Sequence, residues 1–263
     1  MLWRDRTRLT GPLRIYFILR GRTLKTNTQP EDRSLLNPRG KGPGKIFLSS
    51  GFINQVLRGK FGTPEAPKVR PPMDELILTV LSQNTNDRNR DRAFDSLRAR
   101  FPEWGEVLKS SPDELESVIA HAGLGHTKSR RIWAILDAAL VREEIAFDGF
   151  GSLPREEALN SLLGLDGVGP KTAACVLLFS CGISAFPVDT HIYRVCGRLG
   201  LLPTGTDRVK AHEVLGAFFD EKEYLEIHLN IIKLGRQICR PRRPLCGDCP
   251  FDEACPSSIG SEE

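Results

Sequence analysis

The chain is 263 residues long, 40% hydrophobic and 27% charged, with a formal net charge of +4. It is long enough to bury a substantial core in one or two domains, and its composition is that of a soluble globular protein. The longest apolar run, Ala173 to Phe179, falls well short of membrane-spanning length, and an odd count of seven cysteines argues against a secreted disulfide framework.

Residues 1–44 show no sustained periodicity, and Asn37 to Lys45 (NPRGKGPGK) reads as a flexible linker. Met1 to Lys45 holds 11 Lys and Arg against 3 Asp and Glu, leaving 26 against 30 in the remainder. Any affinity of the folded part for a polyanion therefore rests on local basic patches. The extension suits a basic tail, a dispensable start or, through its Arg-rich character, a transit peptide. Its apolar stretch, Ile15 to Leu19, is short, runs into Arg20 and Arg22 and lacks a small-residue cleavage site. The expected location is the cytoplasm, beside the nucleoid, in a bacterium, and the nucleus or an organelle in a eukaryote.

From Ile46 the pattern turns helical through Phe47, Phe52, Ile53, Val56 and Leu57, until the prolines of FGTPEAPKVRPP break it. MDELILTVLSQN predicts a second helix with Leu76, Ile77, Val80 and Leu81 on one face, and Asp87 to Phe101 an arginine-rich third. Ser111 to Glu114 has the form of a capping box. AGLGHTKSRR (Ala122 to Arg131) reads as a glycine-rich basic loop leading into RIWAILDAAL, with Ile132, Ile135, Leu136 and Ala139 buried. EEALNSLLGL, IYRVCGRLG, TDRVKAHEVLGAFF and YLEIHLNIIKLGRQIC predict further helices. Strand signals are nearly absent, so the fold class is all-α.

The stretch from Gly164 to His191, GLDGVGPKTAACVLLFSCGISAFPVDTH, organises the rest. Glycines at Gly164, Gly167 and Gly169 suit a tight turn with positive φ and a close partner approach. Pro170 fits the first helical position and Lys171 the second, with Gly182 ending the helix. Unpaired N–H groups at such a helix start form an anion site, a nucleic-acid phosphate being the usual anion. Lys171 sits where the helix dipole disfavours a cation, which makes its amine a candidate nucleophile toward a carbonyl or anomeric carbon. By position alone a solvated lysine touching phosphate is the simpler reading. Asp189 precedes the apolar periodicity of Ile192, Val195 and Leu199, and by itself reads as an N-cap.

Cys175, Cys181 and Cys196 lie in apolar helical runs and read as core thiols. Cys239, Cys246, Cys249 and Cys255 form C-x6-C-x2-C-x5-C, a metal-site signature whose spacing leaves zinc and an iron–sulfur cluster both open, with a disulfide pair a third reading. Between the first two, Arg240, Arg242 and Arg243 alternate with Pro241 and Pro244 in a stiffened basic loop suited to phosphates.

The hairpin LDGVGPKTA, the downstream VDTHIYRV and this cysteine spacing together resemble the helix-hairpin-helix DNA glycosylases, and the endonuclease III family among them, over roughly Lys45 to Pro256. The resemblance implies a helical barrel domain carrying the hairpin (residues 65–183) and a cluster domain built from residues 45–64 and 184–256. A short tail (257–263) follows, and DNA lies in the cleft between the domains. It implies a 4Fe–4S cluster on the four cysteines. It implies a backbone grip at Gly167, Gly169 and Lys171, with His191 of VDTH beside the DNA. Lys171 would attack C1′ of the damaged nucleotide and Asp189 would assist. A side chain after the second helix fills the gap left by the extruded nucleotide. By position that is Asn84, where the family usually has glutamine, with Gln83 one residue earlier leaving the register open. Leu124, between two glycines, maps to an apolar wedge.

The implied function is a bifunctional DNA glycosylase and AP lyase that removes oxidised pyrimidines from double-stranded DNA, acting as a monomer with no membrane partner. A monofunctional mismatch glycosylase lacks the nucleophilic lysine, so Lys171 speaks against it. A non-catalytic DNA-binding module would leave Lys171 and Asp189 incidental.

Overall fold

The computed structural model describes residues 48–143 and 145–259. The basic extension of residues 1–44, Ile46, Phe47 and the last four residues of the tail lie outside the described residues. Every regular element among the described residues is a helix or helical turn, as the apolar periodicities predict.

The first helix, α1 (Ser50–Phe61), starts later than Ile46 because the Ser49 hydroxyl accepts the Phe52 N–H at 3.2 Å and fixes the first turn there. After the proline-rich connection, α2 (Pro72–Leu81) begins with proline at its first position and is buried along nearly its whole length. α3 (Asp87–Arg100) is capped by the Asn86 side chain, which accepts the Asn89 N–H at 2.9 Å. α4 (Trp104–Val107) and α5 (Pro112–Val118) are short. The Ser111 hydroxyl accepts the Glu114 N–H as expected, but the Glu114 carboxylate pairs with Arg100; the reciprocal box is made by Glu103 and Glu106.

α6 (Gly125–Leu140) departs most from expectation. Its first two turns are HTKSRR, which sequence reads as loop. The chain finishes turning earlier, at Gly123 (φ 68) and Leu124 (φ 50), so the basic residues face inward as well as outward. α7 (Arg155–Leu163) and α8 (Pro170–Val176) form the hairpin; α8 widens into a π turn, Leu177–Cys181, that ends on Gly182 at φ 65. α9 (Thr190–Arg198), α10 (Arg208–Phe218) and α11 (Tyr224–Gln237) complete the described helices.

Two apolar cores organise these helices within one compact unit. The first draws on residues from Met73 to Leu177, with α2 packed on α8 and α5 on α6. The second joins Ile53 and Leu57 of α1 to residues from Phe186 to Phe251, with α11 packed on α9 and α1. α1 is held there by polar contacts as well: Glu223 accepts from Asn54 Nδ2 at 2.8 Å and Ser50 Oγ at 3.1 Å, and Arg58 pairs with Glu226. Arg236 of α11 reaches Asp87 of α3 at 2.7 Å, joining helices of the two cores. Buried Cys175 and Cys196 behave as core thiols, whereas Cys181, in the π turn, is half-buried.

Candidate active site

The hairpin turn is built by short backbone bonds: Gly164 N–H to Asn160 O (3.0 Å), Leu165 N–H to Leu162 O (3.2 Å) and Val168 N–H to Leu165 O (3.0 Å). Its three glycines do different things. Gly164 has ordinary right-handed backbone and Gly169 is extended, so only Gly167, at φ 81, needs the left-handed region. A Cβ on Gly167 would stand 2.2 Å from Arg131 Nε, whereas a Cβ on Gly169 would meet nothing within 4 Å. The first glycine admits an arginine from α6; the second leaves open space at the start of α8, where N–H groups lack helical partners.

Lys171 is the second residue of α8, half-buried, and enters no ion pair among the described residues. Its charge reaches Glu75, Cys175, His212 and His228. Asp189 caps α9, Oδ1 accepting the Ile192 N–H at 2.8 Å, so the cap reading of this residue is correct. Its charge reaches Cys175, Cys196, His228 and Arg236. Cys175 and His228 thus feel both the amine and the carboxylate, which stand 18 residues apart in sequence.

Burial shifts three further titratable groups that the Lys171 charge reaches. His228 is buried between Phe179 and Phe186, its Nδ1 3.1 Å from Pro187 O; burial drives its pKa down to about 4, Asp189 opposing and Lys171 reinforcing the shift. His212 is lowered for the same reason, with Phe186 O at 3.0 Å from Nδ1. Glu75, buried on α2, is raised by burial, and Arg70 (3.8 Å), Arg90 and Lys171 pull it back. Sequence reasoning misses all three. The signal for His228 is its place in the α11 stripe of Tyr224, Ile227, Ile231 and Leu234.

The two segments expected to enter DNA both project. Asn84 is exposed at φ 53, and Leu124 is 56% exposed at φ 50. Gln83, one residue before Asn84, is engaged instead: Arg131 Nη1 donates to its Oε1 at 2.7 Å. Lys128, fully inside the protein, donates to Leu81 O and Ala122 O, each at 2.8 Å. His191 is half-buried with Nδ1 3.1 Å from Arg194 Nη2, and Arg194 continues to Gly235 O (2.9 Å) and Cys239 O (3.0 Å).

Cys239, Cys246, Cys249 and Cys255 line one cavity together with Leu199, Leu234 and Ile238. Among the described residues no three His, Cys, Asp or Glu side chains converge tightly enough for a single ion. Arg198 braces the loop, donating to Arg240 O (2.7 Å), Pro241 O (3.0 Å) and Cys239 Sγ (3.4 Å). Arg240, Arg242 and Arg243 are exposed; Arg240 Nε bonds Gln237 O at 3.1 Å, and Arg243 sits at φ 51. No helix among the described residues is long and apolar enough to cross a membrane.

Residues 77–217 match the model of the "HhH-GPD superfamily base excision DNA repair protein" family. Endonuclease III of Thermotoga maritima is 34% identical over 192 residues, covering 73% of this chain and 86% of that protein. An Arabidopsis thaliana protein is 32% identical over 71% of this chain, which spans 61% of that relative's length. A solved structure titled as a trapped endonuclease III–DNA covalent intermediate superposes with a TM-score of 0.69 at 25% identity, covering 81% of this chain and 98% of that one. The chain therefore belongs to the HhH-GPD superfamily of base excision DNA repair proteins and is a DNA glycosylase of the endonuclease III fold.

Proposed function

We propose that this glycosylase is bifunctional, excising oxidised pyrimidines from duplex DNA and then cleaving the strand as an AP lyase. The observation that carries the reading is the placement of Lys171, half-buried in the first turn of α8 at the hairpin, with Asp189 held at the start of α9 by its bond to the Ile192 N–H. The neutral amine of Lys171 attacks C1′ of an extruded nucleotide. The C1′–N bond breaks, and its electron pair leaves with the base, which takes up a proton. The sugar ring opens to an imine on Lys171. Loss of a C2′ proton then breaks the C3′–O bond, and hydrolysis of the imine returns the lysine. The Asp189 carboxylate stabilises positive charge on the sugar as the base departs.

Gly167 and Gly169 let the hairpin backbone and α8 approach phosphates, with Arg240, Arg242, Arg243 and His191 extending the contact. Asn84 fills the vacated stack and Leu124 wedges the opposite side; the engagement of Gln83 by Arg131 supports Asn84 as the inserting residue. The two apolar cores support the division into a barrel domain, residues 65–183, and a cluster domain, residues 45–64 and 184–256. In this reading the protein acts as a monomer, and the preference for oxidised pyrimidines is what the resemblance to the endonuclease III family implies.

Cys239, Cys246, Cys249 and Cys255 would hold a 4Fe–4S cluster. Four cysteines lining one cavity, at the C-x6-C-x2-C-x5-C spacing that resembles the endonuclease III cluster loop, favour it over one zinc ion. When bound, the cluster pins the arginine loop and contributes folding energy. Excision and strand scission scored separately over a panel of oxidised, mismatched and undamaged duplexes test the reading. Nicked product from oxidised pyrimidines is expected. Excision that leaves every strand whole until alkali is added would replace it with a monofunctional enzyme.

A further inference from the structure

We propose that Lys128 is a positioning residue that locks the two insertion segments to each other, so that Asn84 and Leu124 enter the duplex as one unit. This rests on the insertion roles proposed above.

Lys128 is 1% exposed, on the inner face of α6, a place an apolar side chain would fill without removing a charge from water. Among the described residues it enters no ion pair: burial lowers its pKa, and its ammonium donates to main-chain carbonyls. Both carbonyls end helical turns. Leu81 closes α2, and Ala122 closes the 3-10 turn Ala120–Ala122. Such carbonyls lack helical donors and carry the negative end of the helix dipole, so one buried ammonium satisfies two of them together.

What the ammonium joins explains its cost. Leu81 lies three residues before Asn84, and Ala122 two before Leu124. Each of those projecting residues holds a left-handed backbone, at φ 53 and φ 50, which asparagine tolerates but a leucine keeps only where its surroundings fix it. The segments are some 40 residues apart in sequence and share a single buried charge. Arg131, one turn along α6, adds a second strut through Gln83 at 2.7 Å. A side chain serving only the core would not need to bind the roots of two exposed, left-handed turns.

The test uses the full-length protein and Lys128→Met, with three readouts: affinity for undamaged duplex, excision of a lesion in duplex, and excision of the same lesion in an unpaired bubble. The expected result is unchanged duplex affinity, with duplex excision reduced on the order of tenfold or more and bubble excision largely restored. Equal loss on duplex and bubble, or wild-type rates on both, would overturn the proposal. Should Lys128→Met fail to fold, a cycle of Asn84→Ala and Leu124→Ala in the Lys128 protein decides. Segments that act as one unit give a double variant scarcely slower than either single one; additive losses overturn the proposal. Failure here is separable from failure of the glycosylase reading, in which wild type would excise no lesion in any context.

Discussion

Arg131 lies across Gly167. A Cβ there would come within 2.2 Å of Arg131 Nε, while the same guanidinium holds Gln83 Oε1 at 2.7 Å. The hairpin turn and the segment before Asn84 are thereby set against one another through α6. Gly167→Ala is expected to lose about 1–2 kcal/mol of stability from the left-handed backbone alone, because φ there is 81. It also displaces Arg131, so affinity for undamaged duplex should fall more than for Gly169→Ala, whose Cβ meets nothing within 4 Å. Chemical denaturation and fluorescence anisotropy measure the two effects.

Asp189 combines a cap with a charge, and substitutions separate them. Asparagine caps as well as aspartate, so Asp189→Asn should keep the thermal midpoint while excision slows by about 10²–10³. Asp189→Ala should lose a further ~1 kcal/mol of stability, since the Ile192 N–H at 2.8 Å loses its acceptor. Calorimetry paired with single-turnover kinetics distinguishes the two roles; an Asp189→Asn enzyme as fast as wild type would confine this residue to capping.

Arg198 makes three bonds to the cysteine loop, two to carbonyls and one to Cys239 Sγ. Removing them with Arg198→Met should destabilise the loop by about 2 kcal/mol. The expected outcome is faster loss of iron, sulfide and visible absorbance under a chelator, with weaker duplex binding because Arg240, Arg242 and Arg243 lose their fixed geometry. A colourless wild-type protein containing zinc would remove the cluster from the account.

His228 makes stability depend on acidity. Its folded pKa of about 4 lies below the ordinary 6.5, so the unfolded chain binds the extra proton between those values. Stability is therefore complete above pH 6.5 and declines as pH falls toward 4, by roughly 3 kcal/mol at most. His228→Leu should lose one proton's share of that slope. Urea midpoints of both proteins, taken between pH 4 and 7, give the difference directly.

Much of this site is legible in the sequence because its signals are local. Pro170 and Lys171 open α8, Asp189 caps α9, and the four cysteines share 17 residues. What sequence hides are contacts that span long separations. Lys128 reads as part of a glycine-rich basic loop because its acceptor Leu81 O is 47 residues away. It nonetheless extends the buried stripe of Ile132, Ile135, Leu136 and Ala139 back by one turn, which is the signal that could have found it. Gly164, Gly167 and Gly169 look equivalent as a turn motif, and only the packing of Arg131 singles out the middle one. The choice between Gln83 and Asn84 likewise depends on that arginine, 47 residues on from Asn84.

Borohydride reduction during turnover on duplex DNA with an abasic site tests the central claim most directly. The account predicts a covalent protein–DNA adduct with wild type, mapped by peptide mass to Lys171, and none with Lys171→Gln at equal DNA occupancy. A wild-type enzyme that excises bases without ever being trapped, or a Lys171→Gln protein that is trapped as readily, would contradict it.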